Sequence, residues 1–110
     1  MIEQKNPSPI YEPCCTLDIT GMEQDRLVKM FKALGNPKRF EIMKFLVTHP
    51  YSITGDIVDY VPLAQSTVSQ HLKVLREAGW IHGEIEGPAR EYCLQEENIA
   101  WFREKVGKIF

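Results

Sequence analysis

Leu63-Ala64-Gln65-Ser66-Thr67-Val68-Ser69-Gln70-His71-Leu72-Lys73-Val74-Leu75-Arg76-Glu77-Ala78-Gly79 is the stretch that decides the fold. Val68, Leu72, Leu75 and Ala78 recur at helical spacing, which predicts a helix from about Gln65 to Ala78, with Gly79 just past its C-cap. The other face carries Gln65, Ser66, Thr67, Ser69, Gln70 and Lys73, mostly short hydrogen-bonding side chains. A helix that reads base edges in a DNA major groove needs this division, an apolar side to anchor it and such groups near its N-terminus. The first-turn amides and the helix dipole also suit a phosphate.

Working outward, Val61-Pro62 ends a short helix upstream, because the residue before a proline avoids the helical region. That helix passes through Ile53, Ile57, Val58 and Tyr60, with Ser52 as its expected cap. Asn36-Pro37 supplies a cap and a first-turn proline for a central helix with the stripe Phe40, Ile42, Met43, Leu46 and Val47, ending before Pro50. Thr20-Gly21-Met22-Glu23 matches a capping box that opens a first helix through Leu27, Met30, Phe31 and Leu34, closed by Gly35. Downstream, residues 80–86 and 90–94 read as two strands joined by Gly87-Pro88-Ala89, a β-hairpin. Ile99, Phe102, Val106 and Ile109 then share one face of a last helix from roughly Glu97. The order predicts a mainly α fold with a β-hairpin, a winged helix-turn-helix, whose partner is double-stranded DNA. Arg90, the only Lys or Arg between Arg76 and Arg103, is placed on the wing to reach a phosphate or the minor groove.

With 110 residues and 44% hydrophobic content, the chain has enough for one core and too little for two. Residues 1–19 carry Pro7, Pro9 and Pro13 without a helical period, which predicts a flexible arm ahead of a domain spanning 20–110. The 13 basic and 15 acidic residues leave a formal charge of -2, so no basic footprint advertises nucleic acid. Neither a membrane-spanning run nor a signal-peptide layout is present, and a cytoplasmic protein is expected. There Cys14, Cys15 and Cys93 would stay reduced, as candidate ligands or redox groups. No catalytic arrangement of histidine, carboxylate pair or glycine-rich loop stands out, so neither an enzyme nor a required cofactor is expected. A winged helix that only docks other proteins is the competing class, and operator binding discriminates the two.

The recognition stretch resembles that of the ArsR/SmtB family of metal- and metalloid-responsive repressors. Phe31-Lys32-Ala33-Leu34-Gly35-Asn36-Pro37-Lys38-Arg39 resembles the family's lead-in to the second helix, and Arg90-Glu91-Tyr92-Cys93-Leu94 its second wing strand. The three blocks agree in order and spacing over about residues 22–110. The resemblance implies a homodimer joined through the first and last helices, where Leu27, Met30, Phe31, Phe102, Val106 and Ile109 supply apolar surface. It also implies DNA contacts from Gln65, Ser66, Thr67, Ser69, Gln70, His71, Lys73 and Arg90. His71 sits beside the apolar seam, as a structural or phosphate-contacting residue, whereas His49 and His82 near element ends are expected to be solvated.

Adjacent thiols on a flexible arm suit a soft ion, and Cys14 with Cys15 are the candidate site for trivalent arsenic or antimony. Much of the family carries a cysteine-rich third helix ending in an aspartate; here Ile53-Thr54-Gly55-Asp56-Ile57 keeps only Asp56. The last helix lacks the histidines of the family's zinc site, and some members resemble this chain in sensing through an N-terminal cysteine pair. Cys93, Asp56, a small thiol or water are the alternatives for a third ligand, while a zinc or cadmium response and thiol oxidation compete as signals. Cys93, between Tyr92 and Leu94, is first of all a half-buried strand residue.

Overall fold

Eight elements follow the expected order with one addition: α1 Gly21–Leu34, α2 Pro37–Thr48, β1 Ser52–Ile53, α3 Thr54–Tyr60, α4 Gln65–Ala78, β2 Ile81–Glu86, β3 Ala89–Leu94 and α5 Glu96–Ile109. They come from a computed structural model that describes residues 18–86 and 89–109. The arm with Cys14 and Cys15, and the centre of the wing turn at Gly87-Pro88, lie outside the described residues.

The helix ends follow the local chemistry in some places and tertiary demands in others. Asn36 Oδ1 accepts from the Lys38 and Arg39 amides at 2.8 and 3.1 Å, and Pro37 occupies the first turn of α2 as expected. Gly79 leaves α4 at φ 96°, and the amides of Gly79 and Trp80 return to the carbonyls of Arg76 and Leu75. The capping box at Thr20 does not form. Thr20 holds the N-cap position without a side-chain bond, because Gly21 turns the chain at φ 64°, and Glu23 instead pairs with Lys105 of α5 at 3.1 Å. Ser52 is not the cap of α3 either. Its hydroxyl donates to the His49 carbonyl at 2.7 Å, while Asp56 accepts the Ile53 amide at 3.0 Å and closes the first turn. The reason is that Ser52 and Ile53 are committed to pairing with Tyr92 and Glu91.

That pairing makes the sheet three-stranded, in the order β1-β3-β2, rather than a bare hairpin. Tyr51 delivers the chain to it at φ 65°, held by a 3.0 Å bond from its amide to the Tyr92 carbonyl. The core draws Met30 from α1, Ile42 and Leu46 from α2, Ile57 from α3 and Leu72 and Leu75 from α4 into one cluster. Trp80, just before β2 rather than inside it, joins the wing to this core: its indole N–H donates to the Met30 carbonyl at 2.8 Å. Phe102 of α5 packs edge-on against both Trp80 and Phe31, at 4.7 and 5.0 Å between ring centres. Asn98 secures the same corner, donating to the Gly79 carbonyl at 2.9 Å and accepting from Arg26, whose guanidinium lies 3.8 Å over the Trp101 ring.

Candidate nucleic-acid interface

The residues that decide how α4 sits are Val68, Leu72 and Leu75, each fully buried, with Ala78 nearly so. At about 25 cal/mol per Å² of apolar surface, each such side chain contributes on the order of 1.5–3 kcal/mol to holding the helix down. α3 packs on α4 across the turn Val61-Pro62-Leu63-Ala64, in which Val61 is buried and the Leu63 amide reaches the Val61 carbonyl at 2.7 Å. This is the helix-turn-helix. Its second helix begins at Gln65 behind Ala64, which has no side chain able to cap it.

With its apolar side buried, α4 turns Gln65, Ser66, Thr67, Ser69, Gln70 and Lys73 outward, all exposed on one continuous face. His71 stands at the margin, half-buried. Its Nδ1 lies 3.3 Å from Nη1 of Arg39, whose Nε donates to the Ala33 carbonyl at 2.6 Å. Burial, and then the Arg39 charge, lower the His71 pKa from its ordinary 6.5. Arg39 was not among the expected site residues, since a first-turn arginine reads as solvated surface and its partner lies 32 positions away.

On the wing, Arg90 pairs in register with Ile85, and its stem extends back along β2 over Gly83. A Cβ at Gly83 would stand 2.5 and 2.8 Å from Arg90 Cδ and Cγ, so the glycine makes room for that arginine. A glycine inside a strand was the available signal for this close approach.

The remaining candidates are spread out. Asp56 is engaged as the α3 cap, and Cys93 on β3 is a half-buried free thiol lining a different cleft, with His82 and Glu96. His49 is stacked on Phe45 at 4.2 Å rather than merely solvated. Among the described residues no group of three or more His, Cys, Asp or Glu side chains could hold a metal. On the expected dimer face, Leu27, Met30 and Ile109 are corrected: they are buried in the protomer, because the i, i+3 face of α1 and the end of α5 turn inward. Phe31 stays about half exposed, and Phe102 and Val106 are partly so. No helix among the described residues is long and apolar enough to cross a membrane.

A family model described as "Bacterial regulatory protein, arsR family" matches residues 36–82, which span α2 through the start of β2. The chain is 36% identical over 69 residues to the arsenical resistance operon repressor of Bacillus subtilis, covering 63% of this chain and 66% of that one. It is 35% identical over 83 residues to the HTH-type transcriptional regulator Rv0081 of Mycobacterium tuberculosis, covering 72% of this chain and 73% of that one. The crystal structure of Rv0081 superposes with a TM-score of 0.61, covering 80% and 92% of the two chains at 28% identity. A homodimeric winged helix-turn-helix DNA-binding domain from Mycobacterium bovis, Mb0332, superposes with a TM-score of 0.66 at 24% identity, covering 77% and 78%.

Proposed function

Since this chain belongs to the arsR family of bacterial transcriptional regulators, we propose that it is a homodimeric repressor, released from operator DNA when Cys14 and Cys15 bind trivalent arsenic or antimony. The observation that carries the DNA half of this reading is the division of α4, with Val68, Leu72 and Leu75 sunk in the core and Gln65, Ser66, Ser69 and Gln70 turned out together. Side chains of that length, presented in the first two turns of an exposed helix, match the donor and acceptor edges of base pairs. Dimerisation is supported by the partly exposed Phe31–Phe102 pair at the seam of α1 and α5, and by the homodimeric state of Mb0332. A two-fold dimer then calls for near-palindromic operators, with half-sites about one helical turn apart.

Arsenic is supported by the adjacency of two thiols and by the name of the Bacillus subtilis relative. The reduced protein bound to its own upstream DNA should be titrated with arsenite, antimonite, zinc and cadmium, with sedimentation run alongside. Arsenite or antimonite releasing the DNA at the lowest concentration bears the reading out. Release by zinc or cadmium alone, or a monomer that still binds tightly, contradicts it.

Arg90 supplies the wing's contact with the DNA backbone, and Gly83 keeps its stem in place. Arg90→Ala is expected to weaken binding to operator and unrelated DNA alike and to reduce the salt slope by about 1 per half-site, about 2 for the dimer. Gly83→Ala should do the same to a lesser degree, since the added methyl displaces the arginine. Anisotropy titrations at several salt concentrations check both. A loss confined to one operator sequence would assign Arg90 to base readout instead.

A further inference from the structure

An arginine guanidinium only donates hydrogen bonds. The 3.3 Å contact between Arg39 Nη1 and His71 Nδ1 therefore makes Nδ1 the acceptor, and the single proton of the neutral ring must sit on Nε2. Arg39 is itself fixed on two sides, by its Nε on the Ala33 carbonyl at 2.6 Å and by its amide on Asn36 Oδ1 at 3.1 Å. The end of α1, the start of α2 and the flank of α4 are thus joined through one side chain. Among the described residues no side-chain nitrogen or oxygen is buried without a partner, and Nε2 makes no bond to any of them, which leaves it open on the surface they form. It does so on the reading helix, one turn from Thr67 and Val74, both exposed.

We propose that Arg39 is a positioning residue for DNA binding: it locks His71 as the neutral Nε2–H tautomer, which donates to a backbone phosphate oxygen beside α4. This rests on α4 being the DNA-reading helix. A neutral donor makes a charge-assisted bond to phosphate without displacing a counterion. His71 thus adds affinity without adding to the salt dependence, in a protein whose formal charge is -2. Protonation would set a second cation against Arg39. His71 has only Thr67, Val68, Val74 and Leu75 one turn away on its own helix, and the groove that Arg39 lines between α1 and α4 also carries Asp25, Lys29, Lys32 and Glu77. Because the folded-state pKa is lowered, the unfolded chain takes up the proton first. His71 therefore contributes stability that is complete above about pH 6.5 and is lost as pH falls through the folded pKa.

The test uses the full chain with ring ¹⁵N shifts, affinity for upstream DNA at several salt concentrations, and thermal midpoints between pH 5 and 8. The parent should show the Nε2–H tautomer. Arg39→Met should mix the tautomers and cost about twofold in affinity per half-site, the factor by which an even mixture dilutes the Nε2–H donor form. His71→Gln, whose amide N–H reaches where Nε2 lies, should keep the parental salt slope, lose the decline in stability below pH 6.5, and make Arg39→Met silent in its background. An Nδ1–H tautomer in the parent overturns the proposal, and this needs no variant to fold. Equal costs of Arg39→Met in both backgrounds also overturn it. Gln70→Ala separates the two claims: if it weakens binding while Arg39→Met does not, this inference fails alone; if neither weakens it, the reading of α4 fails.

Discussion

Ser69→Ala and Gln70→Ala, combined in one chain, are expected to abolish operator discrimination while leaving the fold in place. A well-made base contact is worth about 1–3 kcal/mol per half-site. A two-fold complex loses it twice, so even the lower figure amounts to a loss of about 30-fold. Stability should move by no more than about 0.5 kcal/mol, because both side chains are exposed and make no bond within the described protein. Affinity for operator and for scrambled DNA, measured at one salt concentration, checks this. The variant should bind the two alike, at the level the parent shows for scrambled DNA. Full discrimination in a folded variant would move base readout elsewhere.

The second large effect concerns the switch. Cys14→Ser and Cys15→Ser should each bind operator like the parent and no longer respond to arsenite, since a single thiolate forfeits the chelate. A metalloid can release DNA only by binding more tightly to a form that presents the two reading helices badly. The coupling required is about 1–3 kcal/mol, a change of roughly 5- to 150-fold in operator affinity, which either serine variant should erase. Cys93→Ser is the control. Its thiol lines a cleft with His82 and Glu96, while Asp56 is held on the Ile53 amide, so the two candidate third ligands do not meet in one site. A parental arsenite response in Cys93→Ser keeps Cys93 a strand residue, and a lost one makes it the third ligand. Release by peroxide, reversed by a thiol reductant, would identify disulfide chemistry as the signal instead.

How far the fold could be read in advance depended on whether the deciding interaction was local. The periodicity of Val68, Leu72 and Leu75, the Asn36-Pro37 start and the Gly79 stop act within a few residues, and each appears in the structure where the sequence puts it. β1 could not be read, because a two-residue strand has no alternation to detect and exists only through its pairing with β3. The same pairing took Ser52 away from the helix it was expected to cap. Glu23 and Thr20 satisfied a local pattern that a distant partner, Lys105, and a left-handed glycine overrode. For the site, the outward face of α4 followed directly from the inward one. The roles of Arg39 and Gly83 did not, since each depends on a side chain brought in by the tertiary fold, His71 in one case and Arg90 in the other.

The most direct test of α4 as the DNA-reading element is a map of backbone amide shifts as upstream DNA is added to the reduced protein. The largest changes should fall on residues 65–73 and around Arg90, with the amides of Ile42, Met43, Phe45 and Leu46 on the buried side of α2 little moved. Changes concentrated on α1 and α5, with residues 65–73 unmoved at saturating DNA, would contradict the account.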